Sequence, residues 1–293
     1  MTGGRDMDAE MAARLLEWQL EMGADEAILD VPVDRLSPAF PAASAPSAPA
    51  EMHAAPPSSG RTPAARPPSA MPTPRPATTT AEQASPAVAE QARRAAECAT
   101  LEEIFSALDA MKDFPLRRTA THTVHTDGHP QARVMLIGEA PGRDEDRLGR
   151  PFVGRSGQLL DRMLEAIGLD RKAEEPERAV LISNVIFWRP PGNRKPTEAE
   201  AAHCLPWLIR TIEIVQPEVI VCLGATPAQR LTGRTQGILK LRGNWVEYEL
   251  GERRIPLLPT LHPAYLLRQP VQKRLAWRDF LSLKLRLAEL RGG

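Results

Sequence analysis

Three cysteines in 293 residues (Cys98, Cys204 and Cys222) are too few, and too irregularly spaced, for a disulfide framework. No signal peptide opens the chain, and no apolar run is long enough to cross a bilayer. These absences predict a soluble protein of a reducing compartment, cytoplasmic and without a membrane partner. Net charge is also missing, with 37 basic residues against 37 acidic ones. Aromatic residues make up only 4% of the chain. There is no internal repeat. No Gly-Lys-Ser/Thr follows the glycine-rich stretch near residue 140, which excludes a Walker loop. The Gly138-x-x-x-Gly142 spacing also fails the dinucleotide fingerprint.

What is present is unevenly distributed. Thirteen of the 29 prolines fall in a Pro/Ala/Ser/Thr tract whose only aromatic is Phe40. Such a tract cannot bury enough apolar surface to offset its ordering entropy, so residues 37–92 read as a disordered linker. Ahead of it, Met11, Leu15, Leu16, Trp18 and Leu20 form an apolar stripe at helical spacing, stopped by Gly23. A short amphipathic helix in residues 1–36 on a long tether suits a docking segment for a protein partner, with folding back onto the main domain as the alternative. The zero net charge hides an acidic N-terminal third and a basic C-terminal one. The basic third suits a phosphate-facing surface or a solvated helix face.

Residues 93–293 alternate between strand and helix periods. Val134–Ile137 and Val219–Leu223 are apolar throughout, and Val180–Val185 largely so, as buried parallel strands are. Between them lie a helix cappable by Ser156 and ended by Gly168, and another opened by the Thr197/Glu200 capping-box pair. Leu239–Leu250 reads as a hairpin arm, Ile255–Leu261 as a strand and Val271–Leu290 as a closing helix. The pattern predicts an α/β fold, a three-layer α/β/α sandwich around a mostly parallel twisted sheet.

Ligands of open parallel sheets bind beyond the carboxyl ends of the strands. Those ends deliver Glu139, Asn184 and His262, an acid, an amide and an imidazole on one rim. Each has a plainer role available, as helix cap, turn residue and bend. The stretch VMLIGEAPGRDEDRLGRPFVG, Val134 to Gly154, resembles a phosphate cradle until its acids are counted. Asp144, Glu145 and Asp146 would repel a pyrophosphate; carboxylates suit a developing cation or a water to be activated. Asp144 and Asp146 read as solvated, or as partners of Arg143, Arg147 or Arg150.

Three segments together, GEAPGRDEDRLGRPFVGRSGQLLDRML, NVIFWRPPGNRKPT and HPAYLLR, resemble the signature blocks of the type 4 uracil-DNA glycosylases, in that family's order. The resemblance spans roughly Pro115 to Leu290. It implies a DNA repair enzyme that flips uracil out of DNA and hydrolyses its N-glycosidic bond. Phe152 would stack on the uracil, Asn184 would read its edge, and His262 would hydrogen-bond O2 of the departing base. Ala140 and Gly142 would let the backbone approach. Glu139 and Glu145 are both candidates to stabilise the cationic sugar or orient water. Arg189, Arg194 and Lys195 would contact phosphates, while Leu266, Leu267 and Arg268 would form a wedge filling the vacated stack. Uracil-containing DNA is the implied partner, and a monomer the expected state.

The family carries a [4Fe-4S] cluster on four cysteines, and here this sequence departs from it. The corresponding positions are Met111, Phe114, Trp188 and Cys204, so one thiol stands where four are needed. The sequence therefore predicts no metal or other cofactor, with apolar packing of Phe114 and Trp188 instead. Two other readings stay open: a binding module for uracil or abasic DNA without turnover, and a glycosylase of broader deaminated-base range.

Overall fold

The computed structural model describes residues 85–290. The expected N-terminal helix and nearly all of the expected linker lie outside them. Six strands form one sheet: β1 (Asp127–Gly128), β2 (Val134–Gly138), β3 (Val180–Asn184), β4 (Val219–Leu223), β5 (Val246–Leu250) and β6 (Arg253–Thr260), in the order β1-β3-β2-β4-β6-β5. The inner four run parallel, and β1 and β5 close the edges antiparallel. Every residue of β2, β3 and β4 is buried, because helices cover both faces.

Alternate strand residues feed two separate cores. Met135, Ile137, Ile220 and Cys222 pack with α1 (Pro86–Glu97), α2 (Leu101–Asp109) and α6 (Glu198–Val215). Val134, Leu136, Val219 and Val221 face the other way, toward α5 (Arg155–Glu165) and α10 (Lys273–Glu289). Period-two alternation across a doubly covered sheet makes the three layers that the sequence predicts. Short helices lie between: α3 (Pro115–Thr119), α4 (Arg143–Leu148), α7 (Ala225–Thr232), α8 (Ile238–Leu241) and α9 (Pro263–Arg268). Among the described residues no helix is long and apolar enough to cross a membrane.

Several boundaries differ from the sequence reading for local reasons. Residues 86–92 belong to α1, not to the linker. Pro86 sits in the first turn, Ser85 caps it, and Gln91 and Ala95 are buried, with Trp207 donating to Gln91. Gly154 rather than Ser156 caps α5. The hairpin arm begins only at Val246, since Ile238–Leu241 forms α8. The Thr197/Glu200 capping box is present as expected, and a second one, Thr100/Glu103, opens α2.

Candidate active site

The carboxyl ends of β2, β3, β4 and β6 open on one cavity of about 510 Å³. Glu139, Asn184 and His262 all line it, with Ala140, Gly142 and Phe152. Gly138, the last residue of β2, explains how they crowd together. A Cβ there would lie 2.6 Å from the Phe152 ring and would overlap the Asn184 amide oxygen. Glycine lets ring and amide close over the strand end.

The two acids that the sequence left equal are separated by their partners. Glu145 Oε1 accepts from the backbone N–H groups of Val153 (2.9 Å) and Gly154 (3.0 Å), and its Oε2 accepts from that of Gly142 (3.1 Å). Both oxygens are thereby used in tying the GEAPG turn to the PFVG turn. Glu139 has one side-chain anchor of this kind, the Thr226 hydroxyl donating to Oε2 at 2.6 Å from the first turn of α7. Asp146 is neither solvated nor paired with an arginine. It is buried, and its carboxylate accepts from Thr121 N and Oγ1 and from His122 N. Asp144 lies 3.8 Å from Arg143 at the surface.

Phe152 holds φ at +53°, in the left-handed region that costs a bulky residue energy. Its ring packs 5.4 Å from the His262 imidazole. His262 caps α9, its Nδ1 accepting from the Ala264 N–H at 3.1 Å. That bond fixes the tautomer: the neutral ring carries its proton on Nε2. Burial, with a smaller push from Arg268, lowers the His262 pKa to about 4, so the ring stays neutral near pH 7. Gly224, at φ +104°, lets the β4 end approach the His262 Cβ.

The residues expected to meet DNA are placed less uniformly. Arg194, Lys195 and Arg268 line the mouth of the cavity. Arg194 forms a two-pronged pair with Glu200 (2.6 and 2.8 Å), which holds the Glu200 carboxyl down at about 2. Arg189 lies outside the cavity lining and donates to Asn193 Oδ1 at 2.7 Å. Leu267 is half-buried, whereas Leu266 is wholly buried against Leu159, Leu261 and Ala276. In this conformation Leu266 anchors α9 to the core and offers no surface for a wedge. Tyr265 and Ser156 also line the cavity, and Thr226 steadies Glu139; the sequence reading assigned none of the three to the site.

A family model, the uracil DNA glycosylase superfamily, matches residues 125–282, a span that holds the whole cavity lining from Glu139 to Arg268. The chain belongs to this superfamily. It is similar to the type-4 uracil-DNA glycosylase of Sulfurisphaera tokodaii, at 37% identity over 190 residues, covering 63% of this chain and 84% of the relative. The type-4 enzyme of Thermotoga maritima is 43% identical over 53% of this chain and 76% of its own length. That of Archaeoglobus fulgidus is 36% identical over 63% and 92%.

The [4Fe-4S] cluster that the resemblance implies finds no fitting ligand set among the described residues. Met111, Phe114, Trp188 and Cys204 do come together, in one buried apolar core. Phe114 lies 5.1 Å from the Trp188 ring and stacks on His203 at 4.3 Å; Trp188 Nε1 donates to Thr123 Oγ1 at 3.1 Å. Burial pushes the Cys204 thiol up, away from the thiolate a metal needs. Among the described residues no group of three or more His, Cys, Asp or Glu side chains is placed to hold a metal ion.

Proposed function

We propose that this chain is a uracil-DNA glycosylase that hydrolyses the N-glycosidic bond of a flipped uracil and leaves an abasic site for base excision repair. The convergence of Phe152, Asn184, His262 and Glu139 on one cavity at the strand ends carries this reading. Extruding the base costs a few kcal/mol. Phe152 offers a ring face for stacking. The Asn184 amide donates to O4 and accepts from N3–H, a pattern that cytosine inverts. A mispaired base leaves buried polar groups without partners, at about 1–3 kcal/mol each.

The chemistry separates opposite charges. As the C1′–N1 bond breaks, its electron pair leaves with the base, and negative charge spreads onto O2. His262, neutral with Nε2–H, donates to that oxygen. The sugar turns cationic, which suits the carboxylate of Glu139, and a water oxygen then bonds to C1′ as one of its protons passes to the uracil anion, leaving a C1′ hydroxyl and neutral uracil. Preset groups of opposite character at the two ends of the breaking bond stabilise the transition state more than the ground state. Glu145 holds the two turns together rather than touching the reacting atoms. The cluster is dispensable in this reading: Met111, Phe114 and Trp188 fill its place with packed side chains.

The test is base release by purified protein from oligonucleotides carrying uracil, thymine, hypoxanthine or xanthine. Release of uracil alone is expected. Binding without release of any base would favour the non-catalytic module, and comparable release of hypoxanthine or xanthine the broader range. Iron and acid-labile sulfide are measured on the same preparation, where stoichiometric amounts would overturn the cluster-free reading.

A further inference from the structure

Arg171 lies outside the cavity lining, in the loop between α5 and β3, and no part of the chemistry above uses it. Its side chain is only 7% exposed. Nη1 donates to the Pro151 carbonyl and to Asp127 Oδ2, both at 3.0 Å; Nη2 donates to the Phe152 carbonyl at 3.0 Å. Nε donates to Asp161 Oδ1 at 2.7 Å. Two carboxylates thus hold a planar fork whose other donors take two consecutive carbonyls, at the residue whose backbone is strained. The loop beneath is pinned as well, by Asp170 N–H to the Arg178 carbonyl at 2.8 Å.

We propose that Arg171 is a positioning residue for base recognition: its guanidinium clamps the 151 and 152 carbonyls and so keeps Phe152 in the left-handed conformation that aims its ring into the cavity. A return of Phe152 to negative φ would turn its carbonyl away from the fork and swing the ring off its seat. The packing leaves little room for compromise. A methyl at Gly157 would overlap the Phe152 carbonyl, and one at Gly138 would meet the ring. With the ring preset, the incoming base does not have to order it, a cost otherwise taken from binding. Lysine cannot replace this role, since one ammonium does not present a fork to two carbonyls and two carboxylates together.

The proposal rests on the base-excision reading, and two measurements separate them. In a double-mutant cycle, Arg171→Met should lower single-turnover uracil release by about 10–100-fold when Phe152 is present, the scale of an ångström-level misplacement. In a Phe152→Ala background the same change should cost less than about 3-fold, because the group it acts through is gone. Equal losses in both backgrounds would overturn the proposal. Independently of activity, the Phe152 13Cα and 13Cβ chemical shifts of the free protein should move in Arg171→Met and should recover only partly in Arg171→Lys. Unmoved shifts would overturn it too. A wild-type chain that releases no uracil would refute the excision reading alone, since the shifts are read without substrate. Should Arg171→Met fail to fold, Asp127→Asn, which loosens the fork from its far side, takes its place in both measurements.

Discussion

His262 shows how much one backbone contact can decide. The Ala264 N–H takes Nδ1, so the only proton on the neutral ring sits on Nε2. Burial then keeps a second proton off down to about pH 4, against an ordinary value of 6.5. Above pH 6.5 neither folded nor unfolded chain binds that proton, and the site is neutral to stability. Between about 6.5 and 4 the unfolded chain takes up a proton that the folded one refuses, so stability falls as pH falls through that window. Uracil release should therefore stay level from pH 8 to about 5 and decline only below, with NMR titration of the His262 ring tracking the loss. His262→Ala should lower single-turnover release by about 10²–10⁴-fold, as removal of a positioned catalytic group does. The two glutamates give the complementary pair. Glu139→Gln should cut the rate and leave the melting temperature in place, whereas Glu145→Gln should destabilise by about 1–3 kcal/mol in urea titrations through mispaired buried amides. The placement of Asn184 and His262 at strand ends was legible in sequence because strand ends mark themselves. The different partners of Glu139 and Glu145 were not, because they depend on where the Gly142, Val153 and Gly154 amides come to lie. Arg171 was invisible for the same reason, one arginine among many whose partners come from distant segments.

Elements announce themselves when one signal dominates. β2, β3 and β4 each open on an unbroken apolar run, and α6 opens on a capping box, so both were legible. Helix α1 was not, because its Pro86 and its run of alanines share the composition of the linker before it, and only burial against α6 tells them apart. Helix α9 misleads in another way. Its leucines, expected to form a DNA wedge, are divided by helical geometry, so that Leu266 turns inward while Arg268 faces out. The junction of α3, the end of β3 and α6 holds the residues that stand in for the cluster ligands. Trp188 is completely buried there and Phe114 nearly so. Their role as packing makes a plain prediction. Phe114→Ala and Trp188→Ala should each cost about 3–5 kcal/mol of stability by denaturant unfolding, as large-to-small changes in a core do. Addition of chelator should leave the wild-type unfolding midpoint where it was; a chelator-dependent drop would mean that a metal, not packing, holds the junction.

At the scale of the whole molecule, the neutral net charge says nothing of DNA, and the arrangement of charge around the cavity mouth says more. Arg194, Lys195 and Arg268 gather there from two elements far apart in sequence, the loop before α6 and the end of α9. Counting arginines and lysines in the sequence treats them alike, but their partners do not. The Arg194 charge is matched by Glu200, whose carboxyl stays ionised down to about pH 2, so a phosphate must compete with that pair at any working pH. Lys195 is exposed beside it and is one of the residues lining the cavity. Binding that displaces counterions weakens as salt rises, with a slope set by the number of phosphates neutralised. Lys195→Ala should therefore reduce the slope of log affinity against log salt by about 1, measured by fluorescence anisotropy on a uracil-containing duplex. Arg194→Ala should reduce it by much less, since removing Arg194 releases Glu200 and trades one matched pair for a lone carboxylate. Equal slopes for the two variants would mean that DNA breaks the Arg194–Glu200 pair on binding.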